Sequence, residues 1–224
     1  MNNNVFIIVP TYNEANVIEN VLSELLQLTN NIIVIDDGSD DTTGEILDKL
    51  NVLKATHSVN LGQGAAIKTG IECALICGAD YIVTFDADGQ HDASTIHKLF
   101  EIADMGCIDV ILCTRFVENA DSVPFLRRQL LRLAVLYTRI TTGLQVTDAH
   151  NGIRMLSRKS AKLIEIKQNR MSHASEILSE IARHGLSYKE IPTKIRYTEY
   201  SLNKGQKIPD LLKILIELTL SKFL

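Results

Sequence analysis

The chain has 224 residues, of which 46 % are hydrophobic and 22 % are charged. Twelve glycines, four prolines and four cysteines exclude collagenous, low-complexity and disulfide-stapled proteins. No stretch of the sequence has the roughly 18 uncharged apolar residues that a membrane-spanning helix needs. The first apolar run, Val5–Val9, stops at Pro10 without a basic flank, so it predicts a strand rather than a signal peptide. We therefore expect a single domain over residues 1–224.

The charge is divided between the two halves of the chain. Residues 1–112 contain 4 Lys and Arg against 17 Asp and Glu, and residues 113–224 contain 19 against 10, giving net charges of −13 and +9. An acidic half suits a metal ion and a basic half suits phosphate groups. Nucleic acid is not an expected partner because aromatic residues, which stack on bases, make up only 5 % of the chain.

Short apolar runs alternate with helical periods along the first half. Strands are predicted at Val5–Val9, Ile32–Ile35, Val52–Ala55, Tyr81–Phe85 and Val110–Cys113, and helices at about 14–28, 42–50 and 64–77 and after Asp92 as N-cap. Continuously apolar strands are typical of a parallel sheet covered on both faces. The order predicts a doubly wound α/β domain whose ligands bind beyond the carboxyl ends of the strands.

The second half is basic and more irregular. A helix over about 124–141 carries several arginines with no acid among residues 125–139. This pattern indicates either a solvated basic face or a helix at a membrane interface. A strand is expected around Leu186–Tyr197 and a helix from about Pro209. The mostly apolar segment Ile208–Leu224 would pack on the domain, on a partner or in the lipid interface.

Polar residues follow two of the early strands. The run Asp36–Asp41 predicts either an acidic turn with Ser39 or Asp40 as a helix N-cap, or a site in which a carboxylate accepts from a base or ribose. The stretch Asn60–Gly70 has Ile67 where a dinucleotide motif has its third glycine, and it lacks the ending of a P-loop. It predicts a glycine-rich helix start or a close approach of the backbone to a nucleotide.

The sequence Asp86–His91 gives the strongest chemical signal because it places two carboxylates and an amide at a strand end. Adjacent carboxylates raise each other's pKa unless a cation neutralises them. Oxygen ligands of this kind suit Mg²⁺ or Mn²⁺, which also bind substrate phosphates. We expect Asp86, Asp88 and Gln90 to bind the metal, and His91 to support the turn.

Four motifs in this order resemble the family 2 glycosyltransferases with the GT-A fold. They are Val9–Glu14, Asp36–Ser39, the glycine pair Gly62 and Gly64 after Asn60, and Asp86–His91, and the similarity continues through Arg115, Asp148, Gly152–Arg154 and Lys204. Within that family the chain is most similar to dolichyl- or polyprenyl-phosphate sugar synthases. The resemblance implies a Rossmann-like, mostly parallel sheet followed by C-terminal amphipathic helices.

The resemblance also assigns roles to particular residues. The metal and the sugar diphosphate would contact Asp86, Asp88 and Gln90. The nucleotide would contact Pro10, Thr11, Tyr12, Glu14, Asp36, Asp37, Gly64 and Asp86. The acceptor phosphate would contact Arg115, Arg127, Arg196 and Lys204. Asp148 would orient the acceptor or these arginines, or be a buried structural acid, and Glu176 stands alone where hydroxyl-directed relatives have a Glu-Asp pair.

The implied reaction moves a sugar, with inversion, from a nucleoside diphosphate sugar to a polyprenyl phosphate, in cell-envelope or surface glycan synthesis. A lipid phosphate is already an anion, so Asp88 and the metal it holds would carry the catalysis without a general base. Relatives with built-in anchors continue into transmembrane helices, whereas this chain stops at Leu224. We therefore expect peripheral contact with the cytoplasmic face of the plasma membrane, directly or through a membrane partner protein. The sequence indicates no oligomeric state.

Three other functions compete with this hypothesis. A glycosyltransferase extending a lipid-linked saccharide or polysaccharide through a hydroxyl would use Glu176 or Asp148 as base. A non-catalytic module would bind nucleotide or recruit a membrane partner. A sugar-nucleotide pyrophosphorylase of related architecture would have a glycine-rich loop with a basic residue after the first strand, where this chain has Pro10–Glu14.

Overall fold

The computed structural model describes residues 3–106, 108–115, 125–149 and 151–196, with only the backbone for 125–128, 130 and 131. In chain order its elements are β1 (Val5–Thr11), α1 (Ile18–Leu26), β2 (Ile32–Asp36), α2 (Thr43–Leu47), β3 (Leu53–Thr56), α3 (Gln63–Ile76), β4 (Tyr81–Thr84), α4 (Ser94–Met105), β5 (Val110–Thr114), α5 (Phe125–Thr142), β6 (Arg154–Ser157), α6 (Arg158–Leu163), α7 (His173–Arg183) and β7 (Tyr188–Pro192). The predicted terminal helix lies outside the described residues.

The strands form one sheet in the order β3-β2-β1-β4-β6-β5-β7. All neighbouring pairs are parallel except those of β6, which runs antiparallel to both β4 and β5. The predicted mostly parallel α/β sheet is thus confirmed. Strand β6 was not predicted, because its four residues begin with Arg154 and form no distinctive apolar run. The last predicted strand is shorter than expected and ends at Pro192.

Apolar side chains cover both faces of the sheet, as the continuously apolar strands predicted. Successive residues of β1 point to opposite faces, so Ile7 belongs to the cluster beneath α1 and α4, and Ile8 to the cluster beneath α3, α6 and α7. Gly70 lets α3 approach β1 closely, since a Cβ there would lie 3.1 Å from the Ile8 side chain. The edge strand β3 departs from this pattern because three of its four residues are exposed.

The parallel register brings the carboxyl ends of β1, β2 and β4 to one edge of the sheet. Thr11 pairs with Asp36, and the amide of Asp37 donates to the Thr11 carbonyl at 2.8 Å. Side chains then join the first two turns, since Ser39 Oγ accepts from the Asn13 amide at 3.0 Å. The polar segments that follow these strands therefore meet, as predicted.

The predicted helix caps differ in detail. The Ser39 hydroxyl donates to Asp36 Oδ1 at 2.6 Å, and α2 begins only at Thr43, so neither Ser39 nor Asp40 is its N-cap. Helix α4 begins at Ser94 with Ala93 as its N-cap, so the predicted N-cap Asp92 lies one residue too early, although its Oδ1 accepts from the Ser94 amide at 2.9 Å. Within the described ranges, no helix is both long and apolar enough to cross a bilayer.

Candidate active site

A cavity of about 380 Å³ opens at the carboxyl edge of the sheet. From the acidic half it is lined by residues of the three strand-end segments and of the glycine-rich loop, including Pro10, Thr11, Tyr12, Glu14, Asp37, Gly62, Gln63, Asp86, Asp88, Gln90 and His91. From the basic half it is lined by Arg115, Asn151, Gly152, Arg154, Met171, His173, Ala174 and Ile195. Both halves of the chain therefore contribute to one site.

Most of the predicted site residues that the structure describes line this cavity, and several others do not. Those that line it are Pro10, Thr11, Tyr12, Glu14, Asp37, Asp86, Asp88, Gln90 and Arg115. Those that lie elsewhere are Asp36, Gly64, Asp148, Glu176 and Arg196. Lys204 and the Arg127 side chain fall outside the described residues.

The Asp86 carboxylate is fixed by neighbours on both of its oxygens. Gln63 Nε2 donates to Oδ1 at 2.8 Å, and His91 Nε2 lies 3.2 Å from Oδ2. Burial opposes ionisation, yet the His91 contact and the positive charges of His173 and Arg154 hold the pKa of Asp86 below its usual value. A Cβ at Gly152 would overlap this carboxylate, so only glycine fits there. Asp86 is therefore a rigid anion in the floor of the cavity.

Asp88 has the opposite electrostatic environment. Burial, and then the charge of Asp86, raise the pKa of Asp88 to about 6 from 3.8. Its Oδ1 accepts from the Gln90 amide at 3.0 Å, which fixes the tight turn between them. Ionisation of Asp88 is therefore less favourable here than in water, and a bound cation would offset that difference.

The donor set of this turn fits a hard divalent cation. Among the described residues there is no cluster of three or more His, Cys, Asp or Glu that could hold a metal by itself. Asp86, Asp88 and Gln90 would instead supply carboxylate and amide oxygens. Mg²⁺ and Mn²⁺ typically bind through one or two carboxylates and complete their coordination with water and substrate phosphates. The turn matches that mode of binding.

The Asp37 carboxylate, at the carboxyl end of β2, is held by three contacts. Its Oδ2 accepts from the Gly62 amide at 2.7 Å, and its Oδ1 from the Leu61 amide at 3.0 Å and lies 2.7 Å from His57 Nδ1. The far nitrogen of His57 is held 2.9 Å from Thr69 Oγ1. The sequence did not identify His57 as part of the site. These contacts fix a carboxylate at the wall of the cavity.

Two predicted nucleotide contacts serve the loops instead of the cavity. Asp36 Oδ1 accepts from the Ser39 amide at 3.0 Å as well as from its hydroxyl, so this carboxylate shapes the second turn. A Cβ at Gly64 would overlap the carbonyl of Gln168, so Gly64 allows α3 to pack on the 168–170 loop. Neither residue lines the cavity, and their contacts with the nucleotide stay predictions.

Two buried arginines also line the cavity. Arg115 Nε donates to Asp148 Oδ2 at 2.7 Å. Arg154 Nη2 donates to the carbonyls of Ala149 and Ala174 at 3.4 and 3.3 Å. Burial lowers the pKa of Arg154 to about 10 although Asp86 and Asp148 oppose the shift, so it remains a cation at neutral pH. Arg154 belongs to the motif Gly152–Arg154, but the sequence did not predict it as a site residue.

The remaining predicted residues have defined positions outside the cavity. The Asp148 side chain is completely buried, which agrees with a structural acid that orients Arg115. Glu176 Oε2 accepts from the amides of Lys167 and Gln168 at 3.0 and 2.9 Å, so this carboxylate stabilises a loop. Arg196 is exposed at the rim, where its amide donates to the Gln90 carbonyl at 2.7 Å.

Comparisons with known proteins identify the family of this chain. Residues 6–164 match the model of glycosyl transferase family 2. The uncharacterized protein MJ1222 of Methanocaldococcus jannaschii is 35 % identical over 97 % of this chain and 92 % of that protein. A UDP-N-acetylglucosamine–dolichyl-phosphate N-acetylglucosaminyltransferase of Methanococcus voltae is 31 % identical over 97 % of this chain and 96 % of the relative.

A solved structure is similar in fold. The glucosyl-3-phosphoglycerate synthase of Mycobacterium tuberculosis in complex with uridine diphosphate superposes with a TM-score of 0.73, at 16 % identity, over 94 % of this chain and 75 % of that one. Its low identity makes it a comparison of architecture alone. The family match covers well over half of the chain, and its strand-end motifs line one cavity in the structure. The chain therefore belongs to glycosyl transferase family 2 and has the GT-A fold.

Proposed function

We propose that this enzyme transfers a sugar from a nucleoside diphosphate sugar to a polyprenyl phosphate. The observation that carries the proposal is that carboxylates and guanidinium groups line one cavity. Asp86 and Asp88 line it together with Arg115 and Arg154, and the charge of Arg154 acts on Asp86. A metal-bound diphosphate suits the two carboxylates, and a second phosphate suits the guanidinium groups. The transferred sugar would then lie between them.

Asp37 supports recognition of the nucleoside at the donor end. Its two amide contacts and His57 leave the carboxylate able to accept a further hydrogen bond. A base imide or a ribose hydroxyl has the N–H or O–H donor that this carboxylate requires. The Methanococcus voltae relative is named for a uridine nucleotide sugar, which makes UDP-sugars the first donors to test.

A divalent cation, Mg²⁺ or Mn²⁺, would be held by Asp88 together with Asp86 and Gln90. Bound there, it would neutralise charge on the departing diphosphate. Crystals of the Mycobacterium tuberculosis synthase contain Mn²⁺ with uridine diphosphate and phosphoglyceric acid. The chain's own contribution is the rigid Asp86 anion, which positions the turn through Gln63 and His91.

The acceptor end favours an anion over a hydroxyl. A hydroxyl acceptor needs a base, and both predicted candidates are engaged: Asp148 with Arg115, and Glu176 with two loop amides. A phosphate monoester is already charged near neutral pH and needs only alignment. The planar guanidinium of Arg115 can pair with two phosphate oxygens at once. Arg127, Arg196 and Lys204 remain further candidates for this contact.

Helix α5 supports action at a membrane surface. Its Leu133, Leu136 and Ile140 side chains are 55, 53 and 75 % exposed, and the helix contains no acidic residue. Ala134 and Thr138 are buried on the side that packs against the rest of the domain. An exposed apolar stripe with arginines suits a peripheral contact with anionic lipid. The proposal places this contact on the cytoplasmic face, directly or through a membrane partner protein, in envelope or surface glycan synthesis.

Radiolabelled nucleotide sugars incubated with the purified enzyme and Mn²⁺ or Mg²⁺ test the proposal. One reaction contains vesicles with polyprenyl phosphate, and a second contains a polyprenyl-diphosphate-linked sugar. We expect label in the organic phase only in the first, and none for Asp88→Ala. Transfer only in the second would establish the hydroxyl-directed function instead. Metal-dependent nucleotide binding without transfer to either lipid would favour a binding module.

A further inference from the structure

Two buried side-chain nitrogens in the described part of the chain have no hydrogen-bond partner, and both belong to residues of the cavity wall. They are Asn151 Nδ2 and His91 Nδ1. Asn151 is only 3 % exposed. Buried donors are almost always paired in native proteins, because an unpaired N–H loses its bonds to water without replacement. Unpaired atoms confined to a ligand cavity indicate that a ligand completes them.

The orientation of the Asn151 amide is fixed by its other end. Its Oδ1 accepts from the Ile153 amide at 3.0 Å. An amide nitrogen in that position would face another N–H, so the NH₂ group must be the end without a partner. Asn151 therefore offers two N–H donors and calls for an acceptor oxygen.

The backbone that carries Asn151 is rigid. The Gly152 carbonyl accepts from Thr84 Oγ1 at 2.5 Å, and the same hydroxyl oxygen accepts from the Arg154 amide at 3.1 Å. These bonds attach the segment to the end of β4 beside the metal-binding turn. The Asn151 donor is thus preorganised, as groups that bind substrates generally are.

The position of Asn151 in the chain identifies the part of the substrate that it meets. On one side is Gly152, which packs against the Asp86 carboxylate at the diphosphate end. On the other side is Asp148, which holds Arg115 at the acceptor end. In the proposed reaction the transferred sugar lies between those two ends. Its hydroxyl or substituent oxygens are the neutral acceptors that an uncharged amide donor suits.

We propose that Asn151 binds the sugar being transferred, with Nδ2 donating to one of its oxygens. This inference rests on the donor half of the proposed function and is independent of the lipid acceptor. It adds a sugar contact that the sequence motifs did not assign. Asn151 would contribute to the choice of sugar without contributing to the choice of nucleotide.

Calorimetry with Mn²⁺ tests this assignment by comparing nucleotide with nucleotide sugar. The probes are UDP against UDP-N-acetylglucosamine, and GDP against GDP-mannose. The variants are Asn151→Ala, and Asn151→Ser, which keeps an oxygen for the Ile153 amide, adds no charge and removes the amide N–H donors. Asn31→Ala is the control, because it removes a paired amide beside Asn4 at the opposite end of β1 and β2. Melting temperatures confirm that each variant is folded.

For both Asn151 variants we expect the dissociation constant of the preferred nucleotide sugar to rise about ten-fold, while that of the free nucleotide changes less than two-fold. Asn31→Ala should change neither. If the affinities for nucleotide and nucleotide sugar fell equally, the contact would be with the diphosphate. If the affinity for the nucleotide sugar did not change, the Asn151 amide would not contact the sugar. Either result overturns the inference while leaving transfer to polyprenyl phosphate intact. If the wild type binds neither pair, the donor half of the proposed function fails and this inference fails with it.

Discussion

Arg115 and Asp148 form a buried ion pair in which the arginine alone lines the cavity. Their side chains are 9 and 0 % exposed, and Arg115 Nε lies 2.7 Å from Asp148 Oδ2. The backbone amide of Arg115 also donates to the same oxygen at 3.3 Å. Asp148 therefore sets the direction of a guanidinium that we assign to the acceptor phosphate.

Removing the charge of Asp148 should separate its positioning role from the chemistry. For Asp148→Asn we expect the KM for polyprenyl phosphate to rise at least about ten-fold with little change in nucleotide affinity, because the donor side is untouched. Since the cation loses its buried partner, the free energy of unfolding should fall by about 3–5 kcal/mol. Urea denaturation and initial rates at varied lipid phosphate measure the two effects.

A double-mutant cycle provides the control for this pair. Arg115→Met with Asp148→Leu replaces both charges by apolar groups, so its unfolding free energy should exceed that expected from adding the two single losses. Transfer should remain low in the double variant because the phosphate ligand is gone. Additive stability losses, or normal lipid affinity in Asp148→Asn, would contradict a positioning role.

The donor side could be predicted because its chemistry is local in sequence. Asp86, Asp88 and Gln90 lie within one turn after an apolar strand, and a parallel sheet brings such turns to one edge. The acceptor side depends on contacts distant in sequence. Arg154 and Asn151 enter the cavity only because β6 inserts antiparallel between β4 and β5, and four residues without a clear period did not predict that strand.

The same limit explains why the sequence could not predict the contacts of the second turn. Asp36 and Asp37 are neighbours of the same type, but residues that are adjacent in a strand and its turn face different surroundings. The sequence cannot show that Asp36 accepts from Ser39, or that His57 and the amides of Leu61 and Gly62 clamp Asp37. Those contacts are made by loops whose relative positions only the folded chain defines.

We expect Asp88 to lower the free energy of unfolding at neutral pH when no metal is bound. Burial and the charge of Asp86 raise the pKa of Asp88 from 3.8 to about 6. The folded protein therefore holds this proton more tightly than the unfolded chain, so the contribution to stability is present at low pH and is lost as pH rises through about 6. Above that range a buried negative charge lacks a counter-ion until metal binds.

The variant Asp88→Asn tests this balance. Without metal, we expect it to raise the free energy of unfolding at pH 7.5 by about 1–3 kcal/mol, and the gain should shrink toward zero at pH 4. Transfer should be abolished at both pH values. Urea denaturation at the two pH values gives the comparison, with wild-type protein plus Mn²⁺ as the reference for neutralisation by a cation. A variant less stable than metal-free wild type at pH 7.5 would contradict this account.

We expect glycine to be required at position 152 because a side chain there would overlap the Asp86 carboxylate, and not because of the backbone conformation. A Cβ at position 152 would overlap Asp86, so Gly152→Ala must move the carboxylate or the β6 segment. We expect about a 100-fold loss in kcat/KM, because small displacements of catalytic groups have effects of that size. Steady-state rates at saturating metal measure the loss.

The matched control for this substitution is Gly44→Ala in α2. A Cβ there would lie 3.6 Å from Asp36 Oδ2, an ordinary van der Waals contact. Alanine is also the better helix former, so this variant should keep normal rates and gain up to about 1 kcal/mol of stability. Normal activity in Gly152→Ala would show that the Asp86 position tolerates more movement than the packing implies.

The exposed stripe of α5 should determine attachment to vesicles without affecting chemistry. Leu136 and Ile140 project from the side of the helix opposite the buried Ala134 and Thr138, so replacing both by glutamate should leave the fold intact. Two carboxylates at a lipid surface oppose apolar insertion and repel anionic headgroups. Co-sedimentation with vesicles containing phosphatidylglycerol should therefore fall at least about ten-fold. The control Ile76→Glu, on the exposed side of α3, should leave co-sedimentation unchanged.

Transfer to a short, water-soluble isoprenyl phosphate should remain near the wild-type rate in both variants. If Leu136→Glu with Ile140→Glu bound vesicles normally, membrane contact would have to be made by another surface, and loss of activity on the soluble acceptor would show that the stripe supports the active site rather than the membrane.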